Sequence, residues 1–311
     1  MTNTDALIPN ATYKFTVTPV TDIADNQTTE DGNPLYNGVP GGVSDFEIST
    51  SETLANTKPT AGTVTVGETK VGVDVSVFDK PGVFRYTVQE SEPDYAGVTI
   101  TDNTAKTLDV YIVRNEETNA FEVAYVLLHG VDTAAEKVNG VFTNTYTTYD
   151  VTITKAVTGD MGNKSTDFNF TVGIKSADEK DDQFAVTTTG NELQSTTLKA
   201  GETTTVNLKD GNSVTIHGLT AGDVYTLMEN TGVNKDDQGY TTTITGAKES
   251  DNTKRTASGS VDGADVDITV TNHKDPTTPT GIVMDIAPYI IMVAAAGVLA
   301  FVFLRRRSYT K

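Results

Sequence analysis

The stretch VTITKAV at residues 151–157 decides how the chain is read, together with VYTLME at 224–229 and ITVTN at 268–272. In each, apolar and polar residues alternate with period two, which predicts strands with one buried face. Residues i, i+2 and i+4 of a strand share a face. Lys155 therefore lies in phase with Val151, Ile153 and Val157. Glu229 continues the apolar phase of Tyr225 and Leu227, and Asn272 continues that of Val266, Ile268 and Val270. Three polar side chains are thus aimed into apolar surroundings, where an unpaired charge is costly.

The same alternation runs through most of the chain. It predicts strands at Tyr13–Phe15–Val17, Val71–Val73–Val75, Phe84–Tyr86–Val88, Leu108–Val110–Ile112 and Phe121–Val123–Tyr125. RNEETN at 114–119 reads as a hairpin loop between the last two. A second set follows Tyr149, at Val151–Ile153, Phe168–Phe170–Val172, Val206–Leu208, Val214–Ile216, Tyr225–Leu227 and Val266–Ile268–Val270. Roughly one residue in six is Thr, a β-branched strand former. Short strands separated by Gly, Asn and Asp turns predict an all-β fold of two tandem immunoglobulin-like β-sandwiches, at 1–147 and 148–274. The halves repeat one another: YKFTV (13–17) matches FNFTV (168–172), FRYTVQE (84–90) matches VYTLME, and VFTNTY (141–146) matches TVTNHK (269–274). Glu90 and Asn144 in the first half therefore stand where Glu229 and Asn272 stand in the second.

Composition removes several function classes. Lys and Arg total 23 against 42 Asp and Glu, a formal net charge of -19. Nucleic-acid binding, which needs clustered cations, is not expected. The 311 residues include no cysteine, so disulfides, thiolate metal sites and cysteine nucleophiles are excluded together. The three histidines, His129, His217 and His273, lie in separate segments, and neither a metal site nor a cofactor is expected. The acidic runs SADEKDD (176–182) and KDD (235–237) read as solvated loops. No catalytic pair in a cleft emerges, so a hydrolase is disfavoured and no turnover enzyme is expected.

Residues 286–304 carry no charge and are followed by Arg305, Arg306 and Arg307. As a helix this run is about 28 Å long, close to the ~30 Å hydrocarbon core, and clustered Arg marks the cytoplasmic side. A transmembrane helix at 286–304, a cytoplasmic basic tail at 305–311 and an extracellular remainder are expected. HKDPTTPTG (273–281) has the composition of an extended tether, placed at 275–285. MTNTDALIPN lacks the basic and apolar regions of a signal peptide, so an exported chain is expected to have an upstream start or to have been processed.

For Lys155, Glu229 and Asn272 two readings remain. One is a buried ion pair with a hydrogen-bonded Asn, or strand ends that reach water. The other is covalent. Burial lowers a Lys pKa and raises a Glu pKa. A neutral amine can then attack the Asn carboxamide while a protonated Glu polarises it and shuttles protons, releasing ammonia and leaving an isopeptide bond.

Taken in order, IPNATYKFTV, KPGVFRYTVQE, LDVYIV, FEVAYVL, VFTNTY, VTITKAVTG, FNFTV, VYTLME, ITVTN and PTG before the apolar tail resemble the two-domain major pilin subunits of Gram-positive bacteria, the T-antigen type with self-formed isopeptide bonds. The resemblance covers nearly the whole chain. It implies that Lys155 and Asn272 form the isopeptide bond with Glu229 as proton shuttle, and that Glu90 and Asn144 are two of three members of an N-terminal triad. Lys155 precedes Phe170 by fifteen places, and the same count back from Phe15 falls before Met1. The first strand and its Lys are therefore expected to be missing, and Lys14, out of phase with Tyr13 and Phe15, is expected to face outward. The tail resembles a sortase sorting signal, with Thr280 and Gly281 flanking the cleavage point, although the usual Leu and Pro are replaced by Thr277 and Thr278. Lys137, seven residues before Asn144, matches the intermolecular acceptor. The implied function is a cell-wall-anchored pilus shaft subunit. Its partners are sortase, other copies in a fibre and peptidoglycan, with host or microbial surface ligands also open. The alternative is a monomeric wall-anchored adhesin or stalk.

Overall fold

The computed structural model describes the chain apart from residues 92, 94, 102, 131–140, 179–181, 191–192, 194, 277–279 and 308–311; at 280–288, 303–304 and 306–307 only the backbone is described. In the first half the strands are β1 (Thr12–Pro19), β2 (Leu35–Asn37), β3 (Phe46–Ser49), β4 (Gly82–Glu90), β5 (Val98–Ile100), β6 (Lys106–Arg114), β7 (Phe121–His129) and β8 (Asn144–Tyr146). In the second half they are β9 (Tyr149–Thr158), β10 (Phe168–Lys175), β11 (Gln183–Thr189), β12 (Thr197–Lys199), β13 (Thr203–Leu208), β14 (Ser213–Leu219), β15 (Val224–Asn230), β16 (Thr241–Thr245), β17 (Glu249–Asp251), β18 (Thr256–Ser260) and β19 (Val266–His273). Helix α1 (Thr280–Arg307) closes the described chain.

Strands of the second half form two sheets, ordered β13-β10-β15-β18-β17 and β12-β11-β14-β9-β19-β16. Their inward residues make one core: Val151, Ile153, Ile216 and Val270 from one sheet meet Phe168, Phe170, Leu208 and Tyr225 from the other. This is sheet-on-sheet packing, with side chains alternating in and out along each strand. Phe168 and Phe170 are fully buried, and each such side chain contributes roughly 1.5–3 kcal/mol through the area it removes from water. The first strand, β9, lies parallel to the last, β19, with Lys155 opposite Val270.

The first half departs from the expected sandwich. Among the described residues a six-stranded sheet, β3-β1-β4-β6-β7 with β2 on β4, is faced by only a two-stranded ribbon, β5-β8. The strand expected at Val71–Val73–Val75 is not formed. Val73 makes one isolated bridge to Val43, and Val75–Val77 is a 3₁₀ turn. Asp74 explains the change, because its carboxylate accepts from the Ser76 amide at 3.0 Å and hydroxyl at 2.7 Å. Such local side-chain bonding competes with strand pairing. A groove of about 700 Å³ remains between the sheet and residues 62–71.

Where the halves meet, Gly218 sits in a bulge of β14 at φ +93°, a conformation that favours Gly. A Cβ there would stand 3.2 Å from that of Ala6. Asp150 accepts from Asn3 Nδ2 at 2.7 Å and pairs with His217 Nδ1 at 2.7 Å. Tyr95 Oη donates to Asp182 Oδ1 at 2.7 Å, and burial pushes its phenol pKa up.

The tail corrects two expectations. Thr280 and Gly281 open helix α1 rather than lying in a tether that reaches 285; the apolar residues that follow carry the helical backbone back to Thr280. Among the described residues no helix is long and apolar enough to cross a membrane.

The enclosed core of the second half and the open groove of the first predict unequal stability. Calorimetry with limited proteolysis is expected to show residues 1–147 unfolding and being cut first. One coincident transition, with equal protease resistance, would contradict this.

Candidate functional site

Two sheets build the site. β9 and β19 bring Lys155 and Asn272 side by side, since Lys155 pairs with Val270 and Asn272 with Val157. Glu229 comes from β15 in the facing sheet, opposite Phe170. Lys155 and Asn272 are fully buried and Glu229 is 3% exposed. Lys155 Nζ stands 3.4 Å from Glu229 Oε1, and Asn272 Nδ2 donates to the same oxygen at 2.6 Å. Amine and carboxamide therefore converge on one carboxylate oxygen, as their phases predicted.

The remaining contacts fix these groups. Lys155 Nζ donates to Val270 O at 3.1 Å and Ala156 O at 3.2 Å, and lies 4.4 Å from the centre of the Phe168 ring. Thr242, on β16 beside Asn272, places its hydroxyl 3.1 Å from Glu229 Oε2 and 2.9 Å from Asn272 Oδ1. Its single hydrogen serves one oxygen at a time. Arg255 Nη1 lies 3.6 Å from Glu229 Oε2. Burial lowers the Lys155 pKa to about 8; the Glu229 charge opposes this, and the Arg255 charge adds to it. The amine is therefore much more readily neutral than a surface lysine.

The first half repeats part of the arrangement, and among the described residues no lysine forms an ion pair with its Glu. Glu90 pairs with Phe15 as Glu229 pairs with Phe170. Asn144 Nδ2 donates to Glu90 Oε1 at 2.6 Å. Burial raises the Glu90 pKa, and the Asn144 hydrogen bond and the Lys106 charge partly offset this. Among the described residues, Glu90 Oε2 and Asn144 Oδ1 are buried without a hydrogen-bond partner. Lys14 is exposed and faces Glu47 at 3.9 Å, so it does not reach them. Lys137 lies outside the described residues. Among the described residues no cluster of His, Asp and Glu is arranged to hold a metal ion.

Comparison with known proteins matches this geometry to a family. A "Pilin" from Streptococcus pyogenes serotype M1 is 30% identical over 316 residues, covering 97% of this chain and 87% of that protein. The chain belongs to the pilin family. Residues 2–147 of this pilin match the family described as "Spy0128-like isopeptide containing domain", and residues 149–274 match a domain of unknown function, DUF7601. Among solved structures, the T3.2 major pilin of Streptococcus pyogenes serotype GAS13637 aligns at 26% identity and TM-score 0.59, covering 88% of this chain and 93% of that one. Another Streptococcus pyogenes major pilin shares the fold at 24% identity and TM-score 0.62, with 88% and 95% covered.

Sequence reading missed Thr242 and Arg255. Thr242 shares the buried phase of Ile244 in TTTIT (241–245), a signal of the same kind as that of Lys155. Arg255 sits in a turn at φ +58°, where no alternation points to it.

The lowered Lys155 pKa fixes the sign of a pH effect wherever the amine stays free, as in Asn272→Ala. Between about 8 and the ordinary 10.5 the unfolded chain binds more protons than the folded one, so stability attributable to Lys155 rises with pH. Urea midpoints of Asn272→Ala, compared with Asn272→Ala/Lys155→Met, are expected to shift in favour of the lysine-bearing chain as pH rises through about 8. A shift the other way would contradict the assignment.

Proposed function

We propose that this pilin is a pilus shaft subunit whose second half closes on itself through an isopeptide bond between Lys155 and Asn272. The observation that carries the reading is the buried convergence of the Lys155 amine and the Asn272 carboxamide on Glu229 Oε1. The neutral amine attacks Asn272 Cγ, the Nζ–Cγ bond forms and the Cγ–Nδ2 bond breaks. Glu229 takes a proton from the incoming nitrogen and delivers it to the leaving one, which departs as ammonia. Thr242, whose hydroxyl reaches Asn272 Oδ1 and Glu229 Oε2, orients the carboxamide. The event happens once per molecule, so the protein is not an enzyme in the turnover sense. A crosslink enclosing a loop of order 100 residues is worth about 4–5 kcal/mol in the chain-entropy account.

Assembly follows the sorting-signal resemblance. Sortase cleaves between Thr280 and Gly281, and Lys137 of another copy attacks the acyl intermediate. Head-to-tail addition of this kind continues without closing a ring, as a fibre requires. The finished fibre is extracellular and joined to peptidoglycan.

Intact mass spectrometry of the purified chain is expected to read about 17 Da below the sequence mass, one ammonia. Glu229→Ala is expected to restore the full mass. An unmodified mass in the unsubstituted chain removes the bond from the reading. For assembly, co-expression with the cognate sortase is expected to give a detergent-resistant ladder that Lys137→Ala abolishes while monomer stays on the wall. An unchanged ladder assigns the acceptor to another lysine, and no ladder from the unsubstituted chain favours the monomeric adhesin.

A further inference from the structure

The buried cluster of the second half sets two cations against one carboxylate. Among the described residues Glu229 faces Lys155 at Oε1, 3.4 Å away, and Arg255 at Oε2, 3.6 Å away. Lys155 comes from β9 in one sheet, and Arg255 from the turn between β17 and β18 of the other. That turn is tightly held. Asp251 Oδ1 accepts from the Thr253 and Lys254 amides at 3.0 Å each, and Asn252 Oδ1 from the Ile244 amide at 2.9 Å. Arg255 O accepts from the Glu229 amide at 2.9 Å, and Arg255 Nη2 donates to Tyr240 O at 3.1 Å. Arg255 keeps φ +58°, a region that few residues other than Gly, Asn and Asp adopt. Its Nη1 faces Glu229 and, among the described residues, has no hydrogen-bond partner. The guanidinium is thus anchored from behind and keeps a donor in reserve. One further charge acts on Lys155, that of Asp210 before β14. It is already engaged, accepting from the Val157 amide at 2.7 Å and facing Lys164 Nζ at 3.3 Å. Asn272 and Thr242, which complete the surroundings, carry no charge.

One carboxylate neutralises one cation. A guanidinium keeps its proton under all conditions in which a protein folds, whereas a buried ammonium gives its proton up. Lys155 is therefore the cation the site can do without. We propose that Arg255 is a positioning residue that takes Glu229 as its own counter-ion, so that Lys155 sheds its proton and reacts as a free amine while Glu229 stays a carboxylate able to accept one. The proposal rests on the isopeptide reading and adds to it the control of the pH range in which the bond forms. The steps balance. The Lys155 ammonium loses one proton to solvent as the core closes. Nζ then bonds to Asn272 Cγ, Glu229 moves a second proton from Nζ to Nδ2, and the Cγ–Nδ2 bond breaks to release ammonia. Nζ ends as an uncharged amide nitrogen. Arg255 is then the cation left to Glu229, and its reserve donor meets the oxygen it already faces. Without Arg255 the reaction has to discharge a buried ion pair, because the Lys155 ammonium is then the partner that Glu229 holds. The lowered Lys155 pKa agrees with this order. Burial is the first cause, the Glu229 charge opposes it, and the Arg255 charge acts with it.

The test is the pH profile of bond formation in the full chain. Chain recovered unreacted from denaturant is refolded in buffers from about pH 5 to about pH 9, and the loss of one ammonia is timed by intact mass. The unsubstituted chain is expected to react faster as pH rises and to level off near the Lys155 value of about 8. Arg255→Gly removes the charge and suits the positive φ, and Arg255→Gln removes the charge but keeps most of the arm. Both are expected to move the rising limb to higher pH, slowing the reaction at neutral pH roughly tenfold for each unit moved, and to reach the same plateau. Arg255→Lys, which keeps a cation, is expected to bring the limb back toward its original place. A limb that does not move in either uncharged variant overturns the proposal. So does an equal slowing at every pH, which marks a structural role, or a lysine variant that behaves as the glutamine one does. In each of these cases ammonia loss from the unsubstituted chain leaves the isopeptide reading standing. No ammonia loss from the unsubstituted chain at any pH overturns both.

Discussion

A lysine ammonium buried in a β-core without an opposing charge is among the costliest arrangements a small fold can carry. Much of the second half is arranged around that constraint. Lys155 is fully buried and takes backbone carbonyls from its own sheet, while its charged partner comes from the facing sheet. Glu229 fills that role and is itself held by Asn272, Thr242 and Arg255. Among the buried side-chain atoms of this site, Arg255 Nη1 is left without a hydrogen-bond partner among the described residues. The result ties β9, β15, β16 and β19 to one point, across both layers.

The first half shows the same frame with its charge missing. The pairings Phe15–Glu90 and Phe170–Glu229 are equivalent, and each Asn donates to its Glu at 2.6 Å. Among the described residues no strand like β9 closes this core, and one oxygen of the inward carboxylate has no hydrogen-bond partner. Repetition of the frame with different occupancy separates what the Glu–Asn pair does, which is to hold a fixed hydrogen bond, from what the lysine strand adds, which is closure of the core.

Much of this was legible from parity alone. Lys155, Glu229 and Asn272 announced themselves because each continues an apolar phase, and a two-residue period assigns a face unambiguously. The strands containing Phe84, Leu108, Phe168 and Tyr225 were readable for the same reason. The failures have equally local causes. Val71, Val73 and Val75 alternate well, but Asp74 and Ser76 bond to one another and convert the end of the run to a turn. Short strands such as β5, β12 and β17, of three residues each, are too brief to show a period. Arg255 reaches its carboxylate from a turn, where sequence offers no face to read. The tail was misjudged at Thr280, because Pro and Thr composition argued for extension up to a residue whose backbone is already helical.

One feature of the topology bears on how the molecule responds to tension. The chain enters the second half along β9 and leaves it along β19, and these two strands lie side by side and parallel. A pull on the two ends therefore slides one strand lengthwise past the other. It loads the whole ladder from Val151–Val266 to Thr158–His273 in shear, so the bonds must yield together. Antiparallel neighbours joined at a hairpin would instead unzip one bond at a time. Parallel placement of first and last strands thus gives the second half high resistance along the axis on which a filament is stretched.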